Sequence, residues 1–172
     1  VTDMAGNKVT VPRRVIRIAT VSATATQLVF AVGAQDQLVV ATFGPAVKGK
    51  AMSLIFPRMS KIPSAGDQNT ASIESLLAAR PDIVLTEAGS MLTALKAAGL
   101  PAYVFSAERP GELVDGITRM GQLTGRVQQA QKEVDLLNSR MKAVTDAVAA
   151  VEPAKRPRVY VAGSGIFKTF GG

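Results

Sequence analysis

The chain has 172 residues and a formal net charge of +7, and it contains neither cysteine nor histidine. These absences exclude thiol catalysis, Ser-His-Asp catalysis and cysteine or histidine metal sites within the sequence. Hydrophobic residues make up 47% and charged residues 19%, which is a globular composition without a membrane-spanning run. The basic excess is compatible with nucleic acid, an acidic membrane surface or an anionic ligand.

Residues 1–41 are predicted to form a hairpin and two strands with a helix between them. Gly6 and Asn7 are a turn signal between two short strand-like runs, which indicates a hairpin over residues 2–11. Residues 15–19 (VIRIA) and 38–41 (LVVA) are mainly apolar and typical of strands. Ser22 and Thr24 can cap the intervening helix, because their hydroxyl groups accept hydrogen bonds from first-turn N–H groups.

Residues 42–71 are predicted to be a long functional loop. Connections in compact domains usually have about 4–6 residues, so a stretch of this length with repeated glycine and proline is more than a connection. Between residues 42 and 66 it carries four basic residues and no acidic one. These residues are Lys48, Lys50, Arg58 and Lys61. They indicate an anionic ligand, and a solvated basic loop is the alternative.

Residues 72–85 are predicted to be a short helix joined directly to a buried strand. Ser72 can cap the helix, and Pro81 ends it and favours an extended conformation at Arg80. The apolar run at 83–85 is expected of a parallel strand that is covered on both faces. Glu74 is left on the polar side of the first turn, where a carboxylate also suits the helix dipole.

The alternation of strands and helices predicts an α/β fold, with a parallel sheet and helices on both of its faces. A helix at 90–98, a strand at 102–105 and a helix at 110–123 complete it. A helix from 126 to 151 follows, with no glycine or proline in its interior and apolar residues every three or four positions. That spacing predicts packing on a core, with a coiled-coil dimer as the alternative. Residues 158–162 read as a further strand.

Ligands of open parallel sheets bind at the carboxyl ends of the strands, where the strand order reverses. We expect the loops that follow the strands to meet there with the long basic loop. The candidate ligand-binding residues are Ser22, Thr24, Phe43, Lys48, Lys50, Arg58, Glu87, Ser90 and Met91. No residue is predicted to be catalytic or to bind a metal directly, and no resident cofactor is expected.

Two other kinds of site are not supported by the sequence. Gly163 and Gly165 follow a predicted strand, but Lys168 stands where a dinucleotide-binding fingerprint needs its third glycine. Aromatic residues make up only 5% and are not interleaved with basic ones, so no nucleic-acid partner is expected.

The order of these segments resembles a family. The motifs that carry the resemblance are, in order, TDMAGNKVTVP, VIRIA, SIESLLAARPDIVL, GLPAYVF and MGQLTG, followed by the long helix and a further predicted strand. The chain resembles the substrate-binding proteins of ABC importers for iron–siderophore complexes, haem and cobalamin. The resemblance implies two α/β lobes joined by one rigid helix. It predicts a first lobe over 1–124, the connecting helix over 125–152, and the start of a truncated second lobe over 153–172.

The resemblance also implies a non-enzymatic function. Such a protein binds an iron chelate (a siderophore or haem) or a related metal complex and delivers it to a membrane permease and its ATPase. Glu74 matches the glutamate that docks on permease arginines in the family. Haem-binding members often use Tyr or His as an iron ligand, whereas here Tyr103 and Tyr160 lie in predicted strands. The implied location is the periplasm, or the extracellular face of the membrane for a lipoprotein. An α/β enzyme domain acting on an anionic small molecule is the alternative.

Overall fold

The described part of the chain contains a four-stranded parallel sheet with the strand order β2-β1-β3-β4. A computed structural model describes residues 1–42, 56–66, 69–87 and 89–159. The strands are β1 (Ile18–Thr20), β2 (Leu38–Val40), β3 (Ile83–Thr86) and β4 (Ala102–Val104). Since β2 and β3 lie on opposite sides of β1, the strand order reverses between β1 and β3.

The α-helices of the described residues are α1 (Ala23–Ala31), α2 (Ile73–Ala79), α3 (Ser90–Ala97), α4 (Pro110–Thr124) and α5 (Val127–Ala149). Each begins close to its predicted position. Ser22, rather than Thr24, caps α1, and Ser72 caps α2 by accepting a hydrogen bond from the Ser75 N–H at 3.2 Å. A left-handed glycine, Gly125, ends α4 and allows the chain to enter α5 two residues later.

The sheet has a hydrophobic core on each face, which confirms the predicted fold class. Alternate strand residues contribute to opposite cores, so Ile83 and Leu85 face one core while Val84 faces the other. The first core also contains buried residues of α1, α4 and α5. The second contains Leu76 of α2 and Leu95 of α3, both fully enclosed. All four residues of β3 are buried, as its apolar run predicts.

The predicted N-terminal hairpin is present and closes the edge of the sheet beside β4. Its one ladder bridge pairs Thr2 with Lys8. Asp3 is 2% exposed, and its Oδ2 accepts a hydrogen bond from the Val104 N–H at 3.1 Å. The Met4 N–H donates to the Val104 carbonyl at 3.2 Å. Polar backbone groups that an edge strand would leave free are thereby paired.

Two local predictions were wrong for one reason. The first strand begins at Ile18 and not at residue 15, because the Ile16 and Arg17 N–H groups donate to Asp82 Oδ2 at 2.8 and 2.9 Å instead of to a neighbouring strand. Arg80 is left-handed (φ 44°) and not extended. Its carbonyl accepts a hydrogen bond from Arg17 Nε at 3.0 Å, which holds this turn in place. The turn and the start of β1 therefore fix each other.

The chain divides into two compact units, residues 1–137 and 138–172. In the first, Ala130 and Val134 of α5 are buried in the first core and Leu137 packs half-buried against it. In the second, Val144 of α5 is 65% exposed. The predicted lobe boundaries stay predictions. Of the strand predicted at 158–162, the described residues 158 and 159 form no strand, and the remainder lies outside the described residues.

Candidate functional site

A concavity of about 430 Å³ lies at the carboxyl edge of the sheet. Loops that follow three of the strands contribute to its wall, as do two residues of the N-terminal hairpin. The lining residues are Met4, Ala5, Thr24, Glu87, Val104, Phe105, Ser106, Ala107 and Glu108. This is the edge at which open parallel sheets bind ligands, and Thr24 and Glu87 flank the place where the strand order reverses.

A hydrogen bond joins the loops after β1 and β3 at that place. Ser22 is 3% exposed, and its Oγ donates to Glu87 Oε1 at 2.6 Å. The same oxygen accepts a long hydrogen bond of 3.4 Å from the Ala25 N–H as the cap of α1. Because its hydroxyl is used inside the fold, Ser22 positions the carboxylate of Glu87 rather than facing a ligand itself.

A buried network of threonine hydroxyl groups supports this edge from below. Thr20 and Thr26 share a hydrogen bond of 2.6 Å between their Oγ1 atoms, and Thr26 Oγ1 also donates to the Thr42 carbonyl at 2.7 Å. The Thr42 N–H donates to Thr20 Oγ1 at 3.2 Å. All three residues are at most 4% exposed. Satisfied polar groups in such a place fix one arrangement of the strand ends.

Carboxylates are the charged groups of the lining. Glu87 is half-buried and Glu108 is exposed, and none of the described lining residues is basic. A third glutamate, Glu112, lies just behind the wall, where it accepts a hydrogen bond from Ser106 Oγ at 2.6 Å. That hydrogen bond lowers the pKa of the Glu112 carboxyl below its usual range. The described wall therefore favours a ligand with hydrogen-bond donors or positive charge over a bare anion.

The structure brings three of the predicted ligand-binding residues together: Ser22, Thr24 and Glu87. Ser90 is exposed at the start of α3, and Met91 packs half-buried against the second core. Arg58 is exposed in a 3-10 turn, Pro57–Lys61. Phe43, Lys48 and Lys50 lie outside the described residues, so the predicted role of the basic loop stays a prediction.

The loop after β4 supplies the part of the wall that the sequence prediction missed. Phe105, which is 3% exposed, lines the concavity together with the polar residues Ser106 and Glu108. Open parallel sheets bind ligands at the carboxyl ends of their strands, which is why the sequence pointed to Glu87. The same reasoning could have identified the loop after β4. Tyr103, by contrast, is 1% exposed, and burial raises the pKa of its hydroxyl, with Arg119 beside it offsetting part of the shift. Tyr103 is thus enclosed in the first core, and Tyr160 lies outside the described residues.

Glu74 occupies the exposed surface of the first turn of α2. That turn lies at the carboxyl edge of the sheet, because the Ser72 N–H donates to the Ala65 carbonyl at 2.7 Å and Thr42 Oγ1, which follows β2, donates to the Gly66 carbonyl. The structure thus places Glu74 on the same edge as the concavity, with its carboxylate accessible to a partner.

Comparison with known proteins identifies the family. A family model described as periplasmic binding protein matches residues 18–172. The chain belongs to this family. As a periplasmic binding protein it has the localisation that the sequence predicted. Among the described residues, no helix combines the length and the apolar character needed to cross a bilayer.

Two curated relatives and one solved structure illustrate the range of this family. The chain is 26% identical over 166 residues to the cobalamin-binding protein of Halobacterium salinarum, covering 92% of this chain and 42% of that protein. It is 25% identical to the molybdate-binding protein MolA of Haemophilus influenzae, covering 94% of this chain and 53% of that protein. The structure of MolA bound to molybdate superposes on this chain with a TM-score of 0.83 and 24% sequence identity. The match covers 95% of this chain and 58% of the MolA chain, and it shows a common fold. The chain spans about half the length of the curated relatives it matches.

Proposed function

We propose that this periplasmic binding protein is the substrate-binding component of an ABC importer, which captures a metal chelate and delivers it to a permease and its ATPase. The observation that carries the proposal is the concavity at the carboxyl edge, where the loops after β1 and β3 meet at the reversal of strand order. Ligand sites of periplasmic binding proteins close between two lobes. The described wall would supply one side of such a site. No observation on the described residues favours the alternative of an enzyme domain.

The charge of the wall favours a chelate over an oxyanion. The relatives are named for cobalamin and for molybdate, which differ in charge and in size. A molybdate dianion close to Glu87 would be repelled by several kcal/mol, on the order expected for like charges about 4 Å apart near a protein surface. A corrinoid or an amide-bearing iron siderophore instead presents amide N–H donors and an apolar periphery. Glu87 can accept hydrogen bonds from such donors, while Met4 and Phe105 contact the apolar part.

Titration of the full-length protein tests the ligand class. We expect cyanocobalamin or a ferric siderophore to bind and molybdate to bind weakly or not at all in calorimetry. Glu87→Gln should weaken chelate binding by about tenfold, because a charged hydrogen-bond acceptor becomes a neutral one. Glu133→Gln, on α5 and outside the concavity, is the matched control. If molybdate binds best, the proposal that the ligand is a metal chelate is wrong, while the proposed importer function still holds.

Glu74 is the residue through which docking on the permease is proposed. Its support is the exposed position on the edge that carries the concavity, together with the family resemblance. Glu74→Arg in the full-length protein should leave ligand affinity unchanged and impair uptake, because it places like charge against permease arginines. Asp135→Arg, an equal charge reversal on the exposed side of α5, is the control. Normal uptake by the Glu74 variant would rule out this docking role.

A further inference from the structure

Two serine–glutamate pairs lie at the carboxyl edge of the sheet, and they are arranged in opposite directions. In the first pair Glu87 lines the concavity, and Ser22 donates to it from behind at 2.6 Å. In the second pair Ser106 lines the concavity, and Glu112 lies behind it. There Glu112 Oε2 accepts a hydrogen bond from Ser106 Oγ, also at 2.6 Å. The wall therefore carries a carboxylate from one pair and a hydroxyl group from the other.

The two wall residues extend from neighbouring strands. Glu87 comes directly after Thr86, the last residue of β3. Ser106 comes directly after Phe105, whose N–H donates to the Thr86 carbonyl at 2.8 Å. Strands β3 and β4 are paired in parallel, and paired strands lie about 4.8 Å apart. A ligand seated in the concavity therefore meets both residues.

The proton of the Ser106 hydroxyl is already used inside the fold. A serine hydroxyl group has one proton to donate and two lone pairs that accept. Because hydrogen bonding lowers the pKa of Glu112, its carboxylate is ionised at neutral pH and can only accept, so the proton comes from Ser106. Among the described residues, none donates a hydrogen bond to Ser106 Oγ. Ser22 differs, because the Ala25 N–H donates to its oxygen. Ser106 thus presents an acceptor to the concavity.

Glu112 is itself held at the start of α4. Its Oε2 also accepts from the Glu108 N–H at 3.3 Å, and Arg109 Nε lies 3.9 Å from its Oε1. Arg109 precedes the helix without capping it through its side chain. A glutamate in the third helical position commonly compensates by accepting from the backbone just before the helix. One carboxylate thus fixes both the backbone of the loop after β4 and the hydroxyl of Ser106.

We propose that Ser106 determines specificity in the ligand site by accepting a hydrogen bond from a nitrogen donor of the ligand, and that Glu112 is the positioning residue that keeps the hydroxyl in this orientation. The inference rests on the proposed function and names the group that the site selects, an amide or ammonium nitrogen on the periphery of the chelate. A carboxylate in the same place would meet a lone pair of Ser106 and the negative charge of Glu87. The wall therefore discriminates between chelates by their peripheral groups.

The experiment compares matched chelates on the full-length protein by calorimetry. One set is cyanocobalamin and its derivatives in which a single peripheral amide is hydrolysed to a carboxylate, taken in turn. The other is ferrioxamine B and its N-acetyl derivative. In each set the modified chelate has lost N–H donors. We expect the parent protein to bind at least one set and to prefer the unmodified chelate.

Ser106→Ala should lower this preference by about fivefold, which is the effect of one net hydrogen bond. The affinity for the modified chelate should stay the same, whereas a general loss of structure would weaken both members of a set equally. Ser106→Thr keeps a hydroxyl group and should keep the preference. Circular dichroism checks that the variants remain folded.

Glu112→Gln should lower the preference by a similar factor, because a glutamine amide can donate to Ser106 and turn its proton towards the concavity. In a protein that already carries Ser106→Ala, the same change should have no further effect on the preference, because the two residues act as one unit. Asp115→Asn is the matched control. It removes the same charge from the same helix, but its carboxylate accepts from Arg119 Nε at 2.8 Å and does not line the concavity, so the preference should remain.

The outcomes separate this inference from the proposed function. If the parent binds a chelate without preferring the unmodified form, or if Ser106→Ala leaves the preference unchanged, the inference is wrong and the proposed function stands. An equal change in Asp115→Asn would overturn it in the same way. If the parent binds neither set, the chelate itself is refuted, and the inference fails with it.

Discussion

Gly116 in α4 is the position at which one added methyl group should do the most damage. An ideal Cβ at Gly116 would lie 2.2 Å from Cζ and 2.6 Å from Cε2 of the Phe105 ring. The ring is 3% exposed and belongs to the first core. Overpacking of this kind costs about 1–3 kcal/mol, and the clash places Gly116→Ala at the upper end. The better helix propensity of alanine offsets up to about 1 kcal/mol, so we expect a net loss of about 2 kcal/mol.

Gly111→Ala is the matched control in the same helix, because a Cβ there meets no atom within 4 Å. Alanine at Gly111 should stabilise the chain slightly or leave it unchanged. Urea denaturation followed by far-UV circular dichroism measures both variants, and the melting temperature of Gly116→Ala should fall by about 4–8 °C. Since Phe105 lines the concavity, a ring displaced by the new methyl group should also weaken ligand binding. A Gly116→Ala variant as stable as Gly111→Ala would refute the view that the ring is held against the helix.

Three further predictions concern single side chains. The hydrogen bond from Ser106 lowers the pKa of Glu112 in the folded protein. The ionised Glu112 carboxylate therefore stabilises the fold above the pKa that it has in the unfolded chain, and this stabilisation is lost as the pH falls through its folded-state pKa. Glu112→Gln should therefore be less stable than the parent at about pH 7, and the difference should shrink as the pH is lowered towards about 3, in urea titrations at the two pH values. Val134→Ala, in the first core, should cost about 2 kcal/mol. The exposed Val144→Ala on the same helix should stay within about 0.5 kcal/mol, and equal losses in thermal melts would contradict the observed burial. Asp82→Ala should cost about 1 kcal/mol, because two backbone N–H groups before β1 lose their acceptor, and unchanged hydrogen exchange at those amides would argue against that role.

The sheet could be read from the sequence because its strands are continuous apolar runs between helix caps and breakers. Residues 83–85 have no other plausible place than a strand covered on both faces. The starts of α1 and α2 could be read for a similar reason, since each has a serine cap that acts on the turn that follows it. The start of β1 and the conformation of Arg80 were not readable. Both depend on hydrogen bonds between residues that are separated by 62 to 66 positions in the sequence. No local sequence pattern reveals such hydrogen bonds.

The part of the candidate site that could be predicted from the sequence is the part that lies at the carboxyl ends of the strands. Strand ends pointed to Thr24 and Glu87, which the structure places on the same wall. Ser22 was expected at a ligand and instead holds Glu87, because its buried hydroxyl had a partner 65 residues away. The threonine network links Thr20 with Thr42, and neither residue reveals in sequence that the other lies beside it. Polar groups that bond across the fold are found only once the fold is known.

The contact between the N-terminal hairpin and β4 has a consequence for the order of folding. Asp3 and Val104 are separated by 101 positions in the chain. The hairpin is therefore synthesised before β4, by on the order of 5–20 seconds at ordinary rates of translation. Until the hairpin docks on it, the outer edge of β4 is unprotected, and an open edge can pair with another chain. Substitutions of Asp3 should accordingly be felt in the yield of folded protein more strongly than in the stability of the molecules that do fold.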